Sequence, residues 1–208
     1  MLWHGAVRLS SKPERPGVRC FVAIDLTTGV RAAIARAQTR VRTAAARADV
    51  RWVDPPQFHL TLRFLGAVAG ERVPAVSAAL ETAVAGSPPL ALAAAGLGGF
   101  PSLKRPRVLW AGITAGVPDL VRLAAAIDRG LALLGFPPEV RPFRGHLTIG
   151  RVRSPRGGGE LAAAVGAAGA PEFGSWTVPE VVLYESRLRP AGAVYVPVTR
   201  HALQGVDR

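Results

Sequence analysis

Two of the four histidines in this 208-residue chain, His59 and His146, sit in nearly matching surroundings: Phe58-His59-Leu60-Thr61-Leu62 and Gly145-His146-Leu147-Thr148-Ile149. Side chains alternate across an extended strand, so His59 shares one face with Thr61, and His146 shares one with Thr148. Leu60, Leu62, Leu147 and Ile149 then point the opposite way, into a core. Each segment thus offers an imidazole and a hydroxyl together, braced from behind by apolar packing. Two such strands lying side by side would converge both polar pairs on one cleft.

That set of groups suits the opening of a cyclic phosphodiester. The reaction needs a base to activate water and an acid to protonate the leaving oxygen, with the attacking and leaving oxygens in line across phosphorus. Imidazoles on opposite walls meet both demands, because a pKa near ~6.5 lets histidine give or take a proton close to neutrality. Thr61 and Thr148 can donate to the non-bridging oxygens. Arg151, just beyond the second motif, is the arginine best placed to add charge stabilisation. Acid, base and phosphate donors all come from the protein, so the expected cofactor and metal content is none. A lone His-x-Thr is a weak sign, since strand histidines are commonly structural. The matched second copy, 87 residues on (146 − 59), is what gives the pair weight.

The elements that would position these motifs are legible from periodicity and breakers. Val18–Leu26 reads as a strand running into a helix capped at Thr27 or Thr28, with Val30, Ile34, Ala37, Val41 and Ala45 on one face. Arg51–Val53 is extended, Asp54-Pro55-Pro56 breaks the chain, and His59–Leu65 is the first motif strand. Val73, Val76, Leu80 and Val84 mark a second helix; Leu90–Ala95 and Val108–Ile113 are strands around a loop at Gly96–Pro106. Leu120, Leu123, Ile127, Leu131 and Leu134 define a third helix stopped at Gly135, His146–Arg151 is the second motif strand, and a short helix follows near Glu160–Ala167. Val181–Arg187 and Ala193–Thr199 close the chain as paired strands. Helices and strands mix without steady βαβ alternation, so the expected class is α+β with antiparallel sheet.

Composition narrows the setting. A formal charge of +12, carried almost wholly by arginine, favours a polyanionic partner, with RNA ahead of a membrane because no basic amphipathic helix stands out. Charge alone reads equally well as a solvated arginine-rich surface. The one cysteine, Cys20, lies in an apolar run and reads as a core thiol. Residues 1–17 show no export signal and read as a loose extension before a single domain at 18–208. A cytoplasmic monomer is the expectation.

The paired motif resembles the two-histidine (2H) phosphoesterases. More narrowly, the chain is similar to the bacterial and archaeal RNA 2′,3′-cyclic phosphodiesterases, historically named 2′-5′ RNA ligases. The similarity is carried by His59-Leu60-Thr61-Leu62 and His146-Leu147-Thr148-Ile149. It is supported by Cys20–Leu26, Arg51-Trp52-Val53, Leu62–Gly66, Arg141-Pro142-Phe143, Ile149–Val152 and Leu183–Ser186. The resemblance implies a bilobal fold: two pseudo-symmetric lobes of antiparallel sheet, helices outside, and a central catalytic cleft. It implies hydrolysis of RNA 2′,3′-cyclic phosphate ends, or of small cyclic nucleotides, to 2′-phosphomonoesters. His59 falls on the proton donor, His146 on the proton acceptor and Arg151 on a phosphate-contacting arginine. Phe64 falls where a residue can help form the substrate pocket, or equally pack in the core. Gly145 departs from the proline that many members carry before the second histidine. The competing readings are ATP-independent joining of RNA ends by the reverse reaction, and an RNA- or nucleotide-binding protein without catalysis.

Overall fold

A strand followed by a helix opens the described part of the chain because Val18–Ile24 (β1) is largely apolar and short, while Thr28–Ala44 (α1) repeats apolar residues at helical spacing. The structure, a computed structural model, describes residues 17–189 and 192–205. The expected extension at residues 1–17 therefore lies, apart from Gly17, outside the described residues. After α1 come Val50–Trp52 (β2), Leu60–Val68 (β3), Val73–Val84 (α2), Leu90–Phe100 (β4), Val108–Ala115 (β5) and Val117–Ala132 (α3). His146–Val152 (β6), Gly158–Ala167 (α4), Glu172–Val178 (β7), Glu180–Arg189 (β8) and Gly192–Ala202 (β9) complete the order.

All described strands join one antiparallel sheet in the order β7-β4-β5-β6-β3-β1-β8-β9, with β2 on β6. The two motif strands, β6 and β3, are its central neighbours, and each carries its own three further strands outward. The halves are joined by a single register pair, Leu60 opposite Leu147. The α+β, two-lobed antiparallel architecture expected from the sequence is present.

The sheet has one covered and one open face. Buried residues of all four helices (Ile34, Leu80, Ile127 and Leu161 among them) form one apolar cluster with Ile24, Leu60, Leu109 and Leu147 of the sheet. The other face carries a separate small cluster of Phe21, Ala23, Val182 and Tyr184 with Tyr195 against it. The helices therefore line one side, and the cleft is the uncovered concave side.

Two details depart from expectation. β4 continues through Gly96–Phe100, which the glycines had marked as loop. Gly98 lies there because the Trp110 ring of β5 crosses it: a Cβ would stand 2.2 Å from that ring. β7 is an edge strand not anticipated from sequence, although Phe173, Trp176 and Val178 turn inward between exposed neighbours. Cys20 is buried in the core, which pushes its thiol up to about 11 and leaves it unreactive.

Candidate active site

His59 stands at the threshold of β3 and His146 at the start of β6. Because Leu60 faces Leu147 in antiparallel register, His59 lies across from Thr148 and His146 across from Thr61. The two His/Thr pairs are thus interleaved about an approximate two-fold axis. Leu60 and Leu147 are both fully buried beneath them. Thr61 and Thr148 are half-buried on the open face.

The two imidazoles are held alike. His59 Nδ1 donates to the carbonyl of Gln57 at 2.7 Å, and His146 Nδ1 donates to the carbonyl of Arg144 at 2.7 Å. A ring fixed through Nδ1–H leaves Nε2 free to give or take a proton. Each ring also has an aromatic neighbour. His59 sits 4.9 Å from Phe21 and edge-on to Tyr195 at 5.0 Å; His146 meets Phe100 edge-on at 5.0 Å. Burial pushes His59 below the ordinary histidine range, opposed by the Gln57 carbonyl and Asp25 and aided by Arg151 and Arg31. Arg151 is therefore near enough to His59 to act on its charge.

Matching bulges determine what else reaches the cleft. In β3, Thr61 pairs with Ala23 while Arg63 pairs with Val22, so Leu62 is an extra residue. In β6, Thr148 pairs with Trp110 while Gly150 pairs with Leu109, so Ile149 is extra. Both extra residues occupy the fourth position of their motifs. Past a bulge the alternation of faces is inverted. Arg63 is consequently buried behind the sheet, whereas Phe64 returns to the open face beside Phe21 at 5.9 Å, 58% exposed. By the same step Arg151 returns to the open face, paired across strands with Arg51 and Val108. Phe64 and Arg151 are each five residues past their histidine, and they occupy equivalent places on the two walls. Phe64 is thus on the open face and not packed in the core.

Residues that the sequence reading missed do the anchoring. The Arg31 guanidinium on α1 donates to the carbonyls of Pro55 and Phe58 at 2.8 Å, fixing the turn that delivers His59. Buried Gln38, also on α1, donates to Val53 at 2.7 Å and to the carbonyl of Ile149, the bulge residue, at 2.8 Å. One helix thus holds both motifs. Arginine and glutamine on a helix facing prolines far along the chain leave no local sequence signal. Tyr184 donates to Asp25 at 2.7 Å and stacks on Phe21, backing the His59 wall. Asp25 therefore acts through the Tyr184 contact and its charge near His59. Gly145 is accounted for by space: a Cβ there would come 2.8 Å from Leu120. Of the other histidines, His201 is buried between Glu81 and Thr199, tying β9 to α2, and His4 lies outside the described residues. Trp52 and Trp176 pack with the core, while Trp110 lies along the open face against Phe100.

Paired motifs on a curled antiparallel sheet with all helices behind it define the class of two-histidine phosphoesterases. Consistently, the family model described as LigT-like phosphoesterase matches residues 24–110 and 113–195, and the chain belongs to that family. Relatives named RNA 2′,3′-cyclic phosphodiesterase are similar over most of their length. The one from Methanothermobacter thermautotrophicus is 35% identical over 179 residues, covering 86% of this chain and 95% of the relative. That from Thermus thermophilus is 33% identical over 202 residues, covering 90% and 91%. A solved structure from Thermus thermophilus superposes with TM-score 0.75 at 32% identity, covering 90% of this chain and 99% of that one. E. coli LigT complexed with 3′-AMP gives TM-score 0.71 at 29% identity, covering 91% and 99%. Among the described residues, no helix is long and apolar enough to cross a membrane.

Proposed function

We propose that this chain hydrolyses 2′,3′-cyclic phosphate at RNA ends to a 2′-phosphomonoester by two-histidine acid–base catalysis. The observation that carries the reading is the Leu60–Leu147 register, which interleaves two His/Thr pairs whose rings are tethered identically through Nδ1. Names of the relatives from several organisms support the substrate. In this mechanism the phosphate sits between the motifs, its non-bridging oxygens accepting from the Thr61 and Thr148 hydroxyls and from Arg151. His146 Nε2 takes a proton from water as water attacks phosphorus. The P–O3′ bond breaks, and His59 Nε2–H protonates the departing 3′ oxygen. The terminal base lies toward the wall of Phe64 and Phe21. Burial lowers the proton affinity of His59, so its donor role depends on the charge that substrate brings. An entering phosphodiester anion favours the imidazolium, so substrate itself charges the acid.

The test is product analysis with a nucleoside 2′,3′-cyclic phosphate. The expected product is the 2′-phosphate, formed in EDTA as fast as without it. His59→Ala and His146→Ala should each lower kcat by about 10²–10⁴ with unchanged circular dichroism. A 3′-phosphate product, or full activity in either variant, would refute the proposal.

A further inference from the structure

We infer that the cleft has a built-in exit track for a polynucleotide, so that its preferred substrate is an RNA strand several nucleotides long rather than a mononucleotide; this rests on the function proposed above. The track begins at Arg151. Across from it on β2 stands Arg51, and two residues further along, just past the end of β6, stands Arg153. Trp52 and Val50 turn inward to the core, which leaves Arg51 on the opposite, open side. On the other flank of β6, the β4–β5 hairpin brings Lys104, Arg105 and Arg107 to the same end of the sheet, with the Arg107 carbonyl bonded to the Val152 amide at 3.0 Å. All of these side chains are exposed.

What sets this end of the sheet apart is that six basic side chains gather there with, among the described residues, no carboxylate paired to any of them. On the other wall, Arg187 pairs with Glu185 and Arg200 with Glu180 and Asp25. Among the described residues, none of Arg51, Lys104, Arg105, Arg107, Arg151 and Arg153 forms an ion pair. Like charges directly across strands repel one another, as Arg51 and Arg151 do here, and such a pair persists where a polyanion neutralises it. The occupant is a nucleic acid rather than a protein or a membrane, because no exposed large apolar side chain lies on β2, on the hairpin or at the end of β6. The spacing also fits. Neighbouring strands are about 4.8 Å apart and alternate residues about 6.6 Å apart, which sets forked donors in steps along an extended phosphate backbone. The aromatic wall at Phe64 and Phe21 lies on the β3 and β1 side, so the terminal base and the rest of the strand depart in opposite directions. The track thus names the side on which the nucleotides 5′ to the cyclic phosphate run.

The experiment compares wild type with two charge reversals outside the cleft, Arg107→Glu/Arg153→Glu and Lys104→Glu/Arg105→Glu. The first readout is fluorescence-anisotropy binding of an RNA of about ten nucleotides bearing a 3′-phosphate, across a salt series. The second is kcat/KM on the same RNA with a 2′,3′-cyclic end and on a mononucleoside 2′,3′-cyclic phosphate. Wild type should favour the longer RNA and lose that preference as salt rises. Each double reversal should weaken RNA binding about tenfold or more and flatten its log–log salt dependence by about 1.4, at ~0.7 per lost phosphate contact. Turnover of the mononucleotide should not change. Unaltered RNA binding in both variants would overturn the track, and so would equal losses on the mononucleotide and the RNA. If wild type opens neither cyclic phosphate, the proposed function falls, while the anisotropy still decides the track by itself.

Discussion

Arg63 and Phe64 are adjacent in sequence yet face opposite sides of β3, and exchanging them for smaller or neutral residues separates the two roles. Arg63 is 6% exposed behind the sheet. Its guanidinium lies 3.1 Å from Asp128 and 2.6 Å from Glu139, and it donates to the carbonyl of Pro137. The Asp128 contact is poorly aligned for a hydrogen bond, so it is mainly Coulombic. Arg63→Met keeps the stem and removes the charge. Breaking a fully buried pair costs about 3–5 kcal/mol. Here Asp128 is one-quarter exposed and Glu139 about half, so both can be rehydrated, and the expected loss falls to about 2–3 kcal/mol. For a chain this size, that lowers Tm by about 4–12 °C. The KM for cyclic phosphate should hold, because the residue does not reach the cleft. Phe64→Ala should do the reverse. At 58% exposure the ring's burial contributes about 1 kcal/mol or less, but losing it should raise KM severalfold. Urea or thermal unfolding with parallel kinetics reads both. Without the bulge at Leu62, simple alternation from His59 and Thr61 would seat Phe64 in the core and Arg63 in the cleft. Phe64→Ala would then cost about 3–5 kcal/mol and Arg63→Met within about 0.5. That swapped outcome would refute the bulged geometry.

Three further outcomes are expected from the same packing and hydrogen bonds. The His59 ring should titrate below the ordinary 6.5 without ligand added, so protonation costs stability as pH falls through that region, and adding a phosphate analogue should move the midpoint upward; NMR showing a ligand-free midpoint at or above 6.5 contradicts this. Gln38→Leu leaves the Val53 carbonyl without its donor and should cost about 1–3 kcal/mol, with a fall in kcat because the second motif loses its tether; unchanged stability and kcat would show that α1 does not hold β6 in place. Gly98→Ala forces a methyl into the Trp110 ring and should cost about 1–3 kcal/mol on denaturant unfolding, whereas a neutral result would mean that the ring is free to move.

The class of architecture, the helices and most strands were legible in the sequence, because apolar periodicity and Pro/Gly breakers are local properties of the chain. The sequence also placed His59 and Thr61, and His146 and Thr148, on common faces with Leu60 and Leu147 behind them, since alternation over three residues needs no partner strand. Alternation fails beyond those residues. Counted straight, Arg151 falls on the core side of β6 and Phe64 on the core side of β3; bulges at Leu62 and Ile149 reverse both. A bulge is a mismatch between two paired strands, so neither strand alone can encode it legibly. The same holds for β7, whose few inward residues take their meaning from β4 beside it, and for Arg31 and Gln38, whose acceptors lie 24–27 and 15–111 residues away in the chain. The sequence thus supplies the reactive groups and their immediate facing. Only the pairing of β3 with β6, set by burying Leu60 against Leu147, decides that the groups meet and which further residues turn toward them.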